Sequence, residues 1–125
     1  MNFKILVVED DEMNRDMLSR RLALEDYQVI LAVDGPDGIA HAQAEAPDLI
    51  LMDMSLPVLN GWEATKKIRQ TEKGKTAKII ALTAHAMEGS REASLASGMD
   101  DQITKPLTMA ALTSKLLEWL SPAET

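Results

Sequence analysis

Cysteine is absent from this 125-residue chain, which excludes a disulfide, a thiolate nucleophile and a cysteine-ligated zinc site. That absence fits a reducing cytoplasm. Basic residues are in deficit too: 13 Lys and Arg stand against 20 Asp and Glu, a formal net charge of -7. Nucleic-acid affinity comes largely from cations that neutralise phosphates, so direct nucleic-acid binding is not expected. Aromatic residues are few, and Trp62 and Trp119 bear no relation to a basic stripe. No apolar run approaches the roughly 20 residues of a membrane span. The N-terminal run Ile5-Leu6-Val7-Val8 turns acidic at Glu9-Asp10, too early for a signal peptide. The expectation is a soluble, cytoplasmic protein with no membrane insertion and enough chain to bury one real core.

What is present is an alternation of short apolar runs with segments of helical period, the βαβ pattern. Strands are expected from Lys4 to Val8, Gln28 to Ala32, Leu49 to Met52, Lys78 to Leu82 and Gln102 to Thr104. After the first strand, Met17, Leu18 and Leu22 share one helical face and Arg15, Arg20 and Arg21 the other. Met13, Met17 and Met109 occupy helical-period positions and read as core filler rather than a cofactor site. Asp34 reads as the N-cap of a second helix, with Pro36 in its first turn and Pro47 beyond its end. Asn60-Gly61 opens a third helix containing Trp62, Thr65 and Ile68, which Lys73-Gly74-Lys75 closes. Gly98 stops an alanine-rich helix that begins after Ala86. The last helix, from about Thr108, aligns Met109, Leu112, Leu116 and Leu120 and ends at Ser121-Pro122.

No linker, low-complexity segment or solenoid repeat interrupts this series. The organisation expected is one domain over residues 1–121, a short tail over 122–125 and no effector domain. Crossovers of this length are right-handed, and near-continuous apolar strands want helices on both sheet faces. The fold class is therefore α/β, a doubly wound five-stranded parallel sheet of flavodoxin-like order 2-1-3-4-5.

In such a sheet the strand ends carry the chemistry. Asp53 closes the run Leu49-Ile50-Leu51-Met52, Glu9-Asp10 follows the first strand, Thr83 ends the fourth and Lys105 follows the fifth. All fall on the edge where ligands of this architecture bind. Strands 1 and 3 are neighbours, so Glu9, Asp10 and Asp53 converge in one acidic pocket. A hard divalent cation relieves their repulsion, and Mg²⁺ suits it because it is held by one or two carboxylates and keeps waters for a phosphate. Lys105 adds a compact cation and Thr83 a hydroxyl donor, together able to bind the other oxygens of a phosphoryl group on Asp53.

The segments Val7-Val8-Glu9-Asp10-Asp11, Asp53-Met54-Ser55-Leu56-Pro57 with Asn60-Gly61, Leu82-Thr83-Ala84 and Lys105-Pro106 resemble, in order, the receiver domains of two-component response regulators. The resemblance implies a phosphorylation-dependent signalling switch. Asp53 would accept a phosphoryl group from a histidine kinase or histidine phosphotransfer protein, and an unidentified downstream protein would read it. It implies Asp10 and the Ser55 carbonyl on Mg²⁺, Glu9 acting mainly through water, and Thr83 and Lys105 on the phosphoryl oxygens. Such a domain catalyses its own aspartyl phosphorylation and dephosphorylation and is not an enzyme with separate turnover. The signal would travel through the segment around the fourth helix, where Met87 and Leu95 are the few large apolar anchors.

The sequence departs from the common pattern at Gln102, where many receivers place Tyr or Phe. Gln102 is either a residue that changes hydrogen bonds or a solvated edge residue, the second being the preferred reading. Ser55 and His85 stand where family members tune acyl-phosphate lifetime, and an inert His85 on the rim is an equal alternative. Asp11 and Glu12 read as helix-start charges, Asp48 as a strand-entry residue and His41 as a surface or half-buried histidine. A haloacid-dehalogenase-type phosphatase wants a second acid two residues after its nucleophile, where this chain has Ser55. A flavin or nucleotide binder wants a phosphate cradle where Glu9-Asp10-Asp11 would repel one. The serious alternative is a receiver-like module that binds protein without phosphorylation.

Overall fold

The computed structural model describes residues 3–54, 56, 59–83, 98–104 and 107–120. Strands β1 (Lys4–Val8), β2 (Gln28–Ala32), β3 (Leu49–Asp53), β4 (Lys78–Thr83) and β5 (Asp101–Thr104) form one sheet. Around it lie α1 (Glu12–Leu24), α2 (Gly35–Glu45), α3 (Gly61–Arg69) and α4 (Met109–Leu120). Every pairing is parallel and the order is β2-β1-β3-β4-β5, the doubly wound arrangement expected. Register sets Val8 beside Met52, Asp53 beside Leu82 and Thr83 beside Thr104. The ends of β1, β3 and β4 therefore share one edge. The alanine-rich helix expected after Ala86, with Met87 and Leu95, lies outside the described residues.

The central strands bury both sets of alternating side chains. Leu6, Val8, Ile50, Met52, Ile79 and Ala81 pack with Ala42 of α2 and Ala64 and Ile68 of α3. Ile5, Val7, Leu49, Leu51, Ile80 and Leu82 pack with Leu18 and Leu22 of α1 and Leu112, Leu116 and Leu120 of α4. Each large aliphatic side chain so buried contributes on the order of 1.5–3 kcal/mol, which makes β1 and β3 the least yielding part of the molecule. Among the described residues no helix is long and apolar enough to cross a membrane.

Local chemistry sets the helix ends. Asp11, Asp34 and Asn60 cap α1, α2 and α3, accepting from the N–H groups of Met13, Asp37 and Glu63. Thr108 accepts from Ala111 N–H at 3.1 Å ahead of α4. Asp48 accepts from Lys4 N–H at 2.8 Å, as a strand-entry residue should. His41 is half-exposed and lies 3.4 Å from Asp37 one turn earlier.

Three expectations need correction. Met13 and Met17 are not core filler: they are 80% and 42% exposed, because α1 buries only the narrow stripe through Leu18 and Leu22. Met109, by contrast, is half-buried against the α1 and α4 layer. Helix α3 stops at Arg69 rather than at Lys73, since the Thr71 hydroxyl donates to Ile68 O at 2.7 Å and accepts from Gly74 N–H at 3.0 Å, folding the chain into turns. Strands β3 and β4 each run one residue further than expected, to Asp53 and Thr83, and β5 begins one earlier, at Asp101.

Two side-chain clusters tie β5 to the rest. The Arg69 guanidinium donates to the carbonyls of Gly74, Ala77 and Gly98 and to Asp100 Oδ2, which also accepts from Ile79 N–H at 2.8 Å. Gly98 reaches this staple with φ +99, a left-handed conformation that favours glycine. On the opposite face Asp101 Oδ2 accepts from Lys115 Nζ at 2.6 Å and Trp119 Nε1 at 2.9 Å, both on α4. Burial pushes the Asp101 carboxyl up, but these two hydrogen bonds, that from Gln102 N–H and the Lys115 charge outweigh it and hold the group below its ordinary 3.8.

A carboxyl depressed on folding stabilises the fold above its unfolded value, and that stability is lost as the pH falls through the folded one. The parent should therefore exceed Asp101→Asn in stability by roughly 1–3 kcal/mol at neutral pH. In urea unfolding at a series of pH values the gap should narrow below 3.8. A gap of constant size in acid would contradict this account of Asp101.

Candidate functional site

Glu9, Asp10 and Asp53 meet at the shared strand edge. One carboxylate oxygen from each lies within 4.8 Å of the others, with Glu9 and Asp53 buried and Asp10 exposed. The sequence dictates this convergence. Ile5–Val8 and Leu49–Met52 are apolar enough to be buried side by side, and their parallel register leaves the next residues no other place. Like charges at this spacing repel by a few kcal/mol per pair at an effective dielectric near 20, a repulsion that a bound cation would relieve. A set of only carboxylate oxygens, clustered and partly open to solvent, has the chemistry of a hard divalent cation such as Mg²⁺. The described donor set fits that ion.

The backbone around the pocket is closely tied. Glu9 N–H donates to Ala32 O at 3.1 Å, and Asp11 N–H donates to Glu9 Oε2 at 3.2 Å. Met54 N–H donates to Leu82 O at 3.1 Å, carrying the β3–β4 ladder past Asp53. Helix α3 presses its first residue onto the same place: a Cβ on Gly61 would lie 2.7 Å from Asp53 O and 2.7 Å from Met54 Sδ. Only glycine permits that approach, and the Asn60-Gly61 pair supplies cap and clearance together.

Thr83 ends β4 almost fully buried, two residues beyond Ala81 on the same sheet face. Gln102 pairs with Ala81 and so shares that face. It is not a solvated edge residue: it is half-buried, and its Oε1 is buried with no hydrogen-bond partner among the described residues. Lys105, Ser55 and His85 lie outside the described residues. One contact at the pocket has no counterpart in the sequence pattern. Arg15, placed by periodicity on the face of α1 away from Leu18 and Leu22, reaches back so that Nη1 donates to Glu9 O at 2.9 Å. Helical period describes how residues share a helix face and carries no signal for a side chain that leaves its helix.

The family model for the response regulator receiver domain matches residues 5–117. Hybrid signal transduction histidine kinase G of Dictyostelium discoideum is 43% identical over 112 residues; they cover 87% of this chain, which spans only 3% of that kinase. Among solved structures, the receiver domain of sensor histidine kinase PA1611 of Pseudomonas aeruginosa, with a magnesium ion coordinated in its active-site cleft, is 40% identical. It superposes with a TM-score of 0.88 over 98% of this chain and 100% of that one. The receiver domain of the Saccharomyces cerevisiae response regulator Ssk1, co-crystallised with the histidine phosphotransfer signalling protein Ypd1, is 34% identical. Its TM-score is 0.88, covering 94% of this chain and 88% of that chain.

The closeness of Gly61 to Asp53 has a measurable cost when it is disturbed. Gly61→Ala must push α3 off a backbone carbonyl, and overpacking of this kind costs about 1–3 kcal/mol. Urea unfolding should show that loss. Parent-like stability would mean that α3 is not seated on Asp53.

Proposed function

The chain belongs to the response regulator receiver family of two-component phosphorelays, and on that premise we propose that Asp53 is its phosphoacceptor. The observation that carries the reading is the meeting of a buried Asp53 with Glu9 and Asp10 at the end of two adjacent parallel strands. Asp53 attacks the phosphorus of a phosphohistidine donor, a P–O bond forms as the P–N bond breaks, and the imidazole leaves. The register of β3 and the seat of α3 hold the attacking carboxylate in place, so most of the rate gain is positional. Asp10, Asp53 and the Ser55 carbonyl would hold Mg²⁺, with Glu9 acting mainly through water. When bound, that ion neutralises carboxylate and phosphoryl charge.

Thr83, at the end of the neighbouring strand, donates its hydroxyl to one phosphoryl oxygen, and Lys105 pairs its ammonium with another. Ser55 and His85 control the access of water to the acyl phosphate. The donor is a histidine kinase or histidine phosphotransfer protein, a reading supported by the phosphotransfer complex of the yeast relative. The output is a change in the surface beyond β4 and β5, read by a downstream protein. The domain acts as a switch in the cytoplasm rather than as an enzyme turning over a separate substrate.

The test is chemical. Treatment with a small acyl phosphate and Mg²⁺ should add about 80 Da per phosphoryl group to the intact mass. Asp53→Asn should remove the added mass while leaving the far-ultraviolet circular dichroism unchanged. Labelling retained in that variant would overturn the assignment, and an unlabelled parent would favour a module that binds protein without phosphorylation.

A further inference from the structure

Arg15 behaves unlike a surface arginine. Carboxylates of its own helix start stand one turn behind it at Asp11 and Glu12, the spacing at which arginine ordinarily pairs. Among the described residues it forms no ion pair with either. Its guanidinium instead extends past them to the Glu9 carbonyl, 2.9 Å from Nη1. The Arg15 backbone N–H donates to Asp11 O, also at 2.9 Å. The backbone bond is the ordinary first hydrogen bond of α1, so the hold that is particular to Arg15 is the one its side chain has on the start of the turn Glu9-Asp10-Asp11.

We propose that Arg15 is a positioning residue for the cation pocket, a reading that rests on the proposed phosphoacceptor site. Its grip holds the Glu9 carbonyl, and therefore the Asp10 backbone after it, in the pose that brings the Glu9 and Asp10 oxygens within 4.8 Å of Asp53. The work is done through the backbone, without Arg15 touching metal or phosphoryl group. Outer groups of this kind orient ligands and change metal affinity strongly when removed. The side chain also lines an open cleft of about 410 Å³ with Glu12, Met13, Asp16 and Leu31, so truncating it leaves no sealed cavity.

Calorimetric titration with MgCl₂ tests this on the intact chain. Arg15→Ala should weaken Mg²⁺ binding about 10-fold, and Arg15→Lys, which restores a charged donor, should recover most of the affinity. In labelling by a small acyl phosphate, Arg15→Ala should be slow at limiting Mg²⁺ and reach the parent rate at saturating Mg²⁺. A residue that merely braces α1 would lower stability without that split. Should Arg15→Ala not fold, Arg15→Met keeps most of the side chain without an N–H donor and carries the same comparison. Parent-like Mg²⁺ affinity in Arg15→Ala or Arg15→Met, or a rate still depressed at saturating Mg²⁺, would overturn the proposal while leaving the phosphoacceptor reading intact. An absence of Mg²⁺ binding in the parent would instead overturn the site on which both rest.

Discussion

The constraint on which the site depends is the parallel pairing of β1 with β3. Val8 lies beside Met52 in that register, and both strands are buried on both faces. The residues next in the chain after Val8 and Met52 must emerge together, and they are Glu9-Asp10 from β1 and Asp53 from β3. Three carboxylates are thereby forced within 4.8 Å by contacts that lie elsewhere, in the aliphatic layers beneath them. The core is strong where the site is repulsive, and local strain of this kind persists only where surrounding structure over-determines it.

Such an arrangement favours reactivity over stability. A metal-free pocket of crowded carboxylates is a high-energy feature, relieved by whatever positive charge enters it. The rest of the neighbourhood limits the ways in which that strain can be released by movement. The turn after β1 is held by Ala32 O and Arg15, and the residue after Asp53 by Leu82 O, with Gly61 seated where even a Cβ would clash. Relief by rearranging the backbone is thus opposed on each side. On the far side of the sheet from α3, Asp101 is satisfied by Lys115 and Trp119.

Much of this was legible in the residues. Four-to-six-residue apolar runs separated by helical periods are a non-local pattern that only a parallel α/β sheet satisfies, so strand order and the convergence at Asp53 came from elementary rules. The helix caps at Asp34 and Asn60 were legible because a side-chain oxygen must meet N–H groups two or three residues on. The features that escaped depend on a side chain leaving its own element. Arg15 looked like one of three arginines on a wet face, and Thr71 gave no hint that its hydroxyl would end α3 early. Met13 and Met17 were misplaced because periodicity marks a direction around the helix and does not say how wide the buried stripe is. Gln102 read as a solvated edge residue because a five-stranded order makes β5 terminal, yet its side chain turns inward beside Ala81.

The central claim is that crowded carboxylates at the ends of β1 and β3 form a cation site whose occupation drives the chemistry of Asp53. Paired urea unfolding of the parent and Asp10→Ala, each with and without Mg²⁺, addresses it most directly. With free metal about ten times its dissociation constant, the parent should gain ~1.4 kcal/mol. Asp10→Ala should lose most of that gain, yet match or exceed the parent when no metal is present, because one of the crowded charges is gone. A parent indifferent to Mg²⁺, or a variant stabilised as much as the parent, would contradict the account.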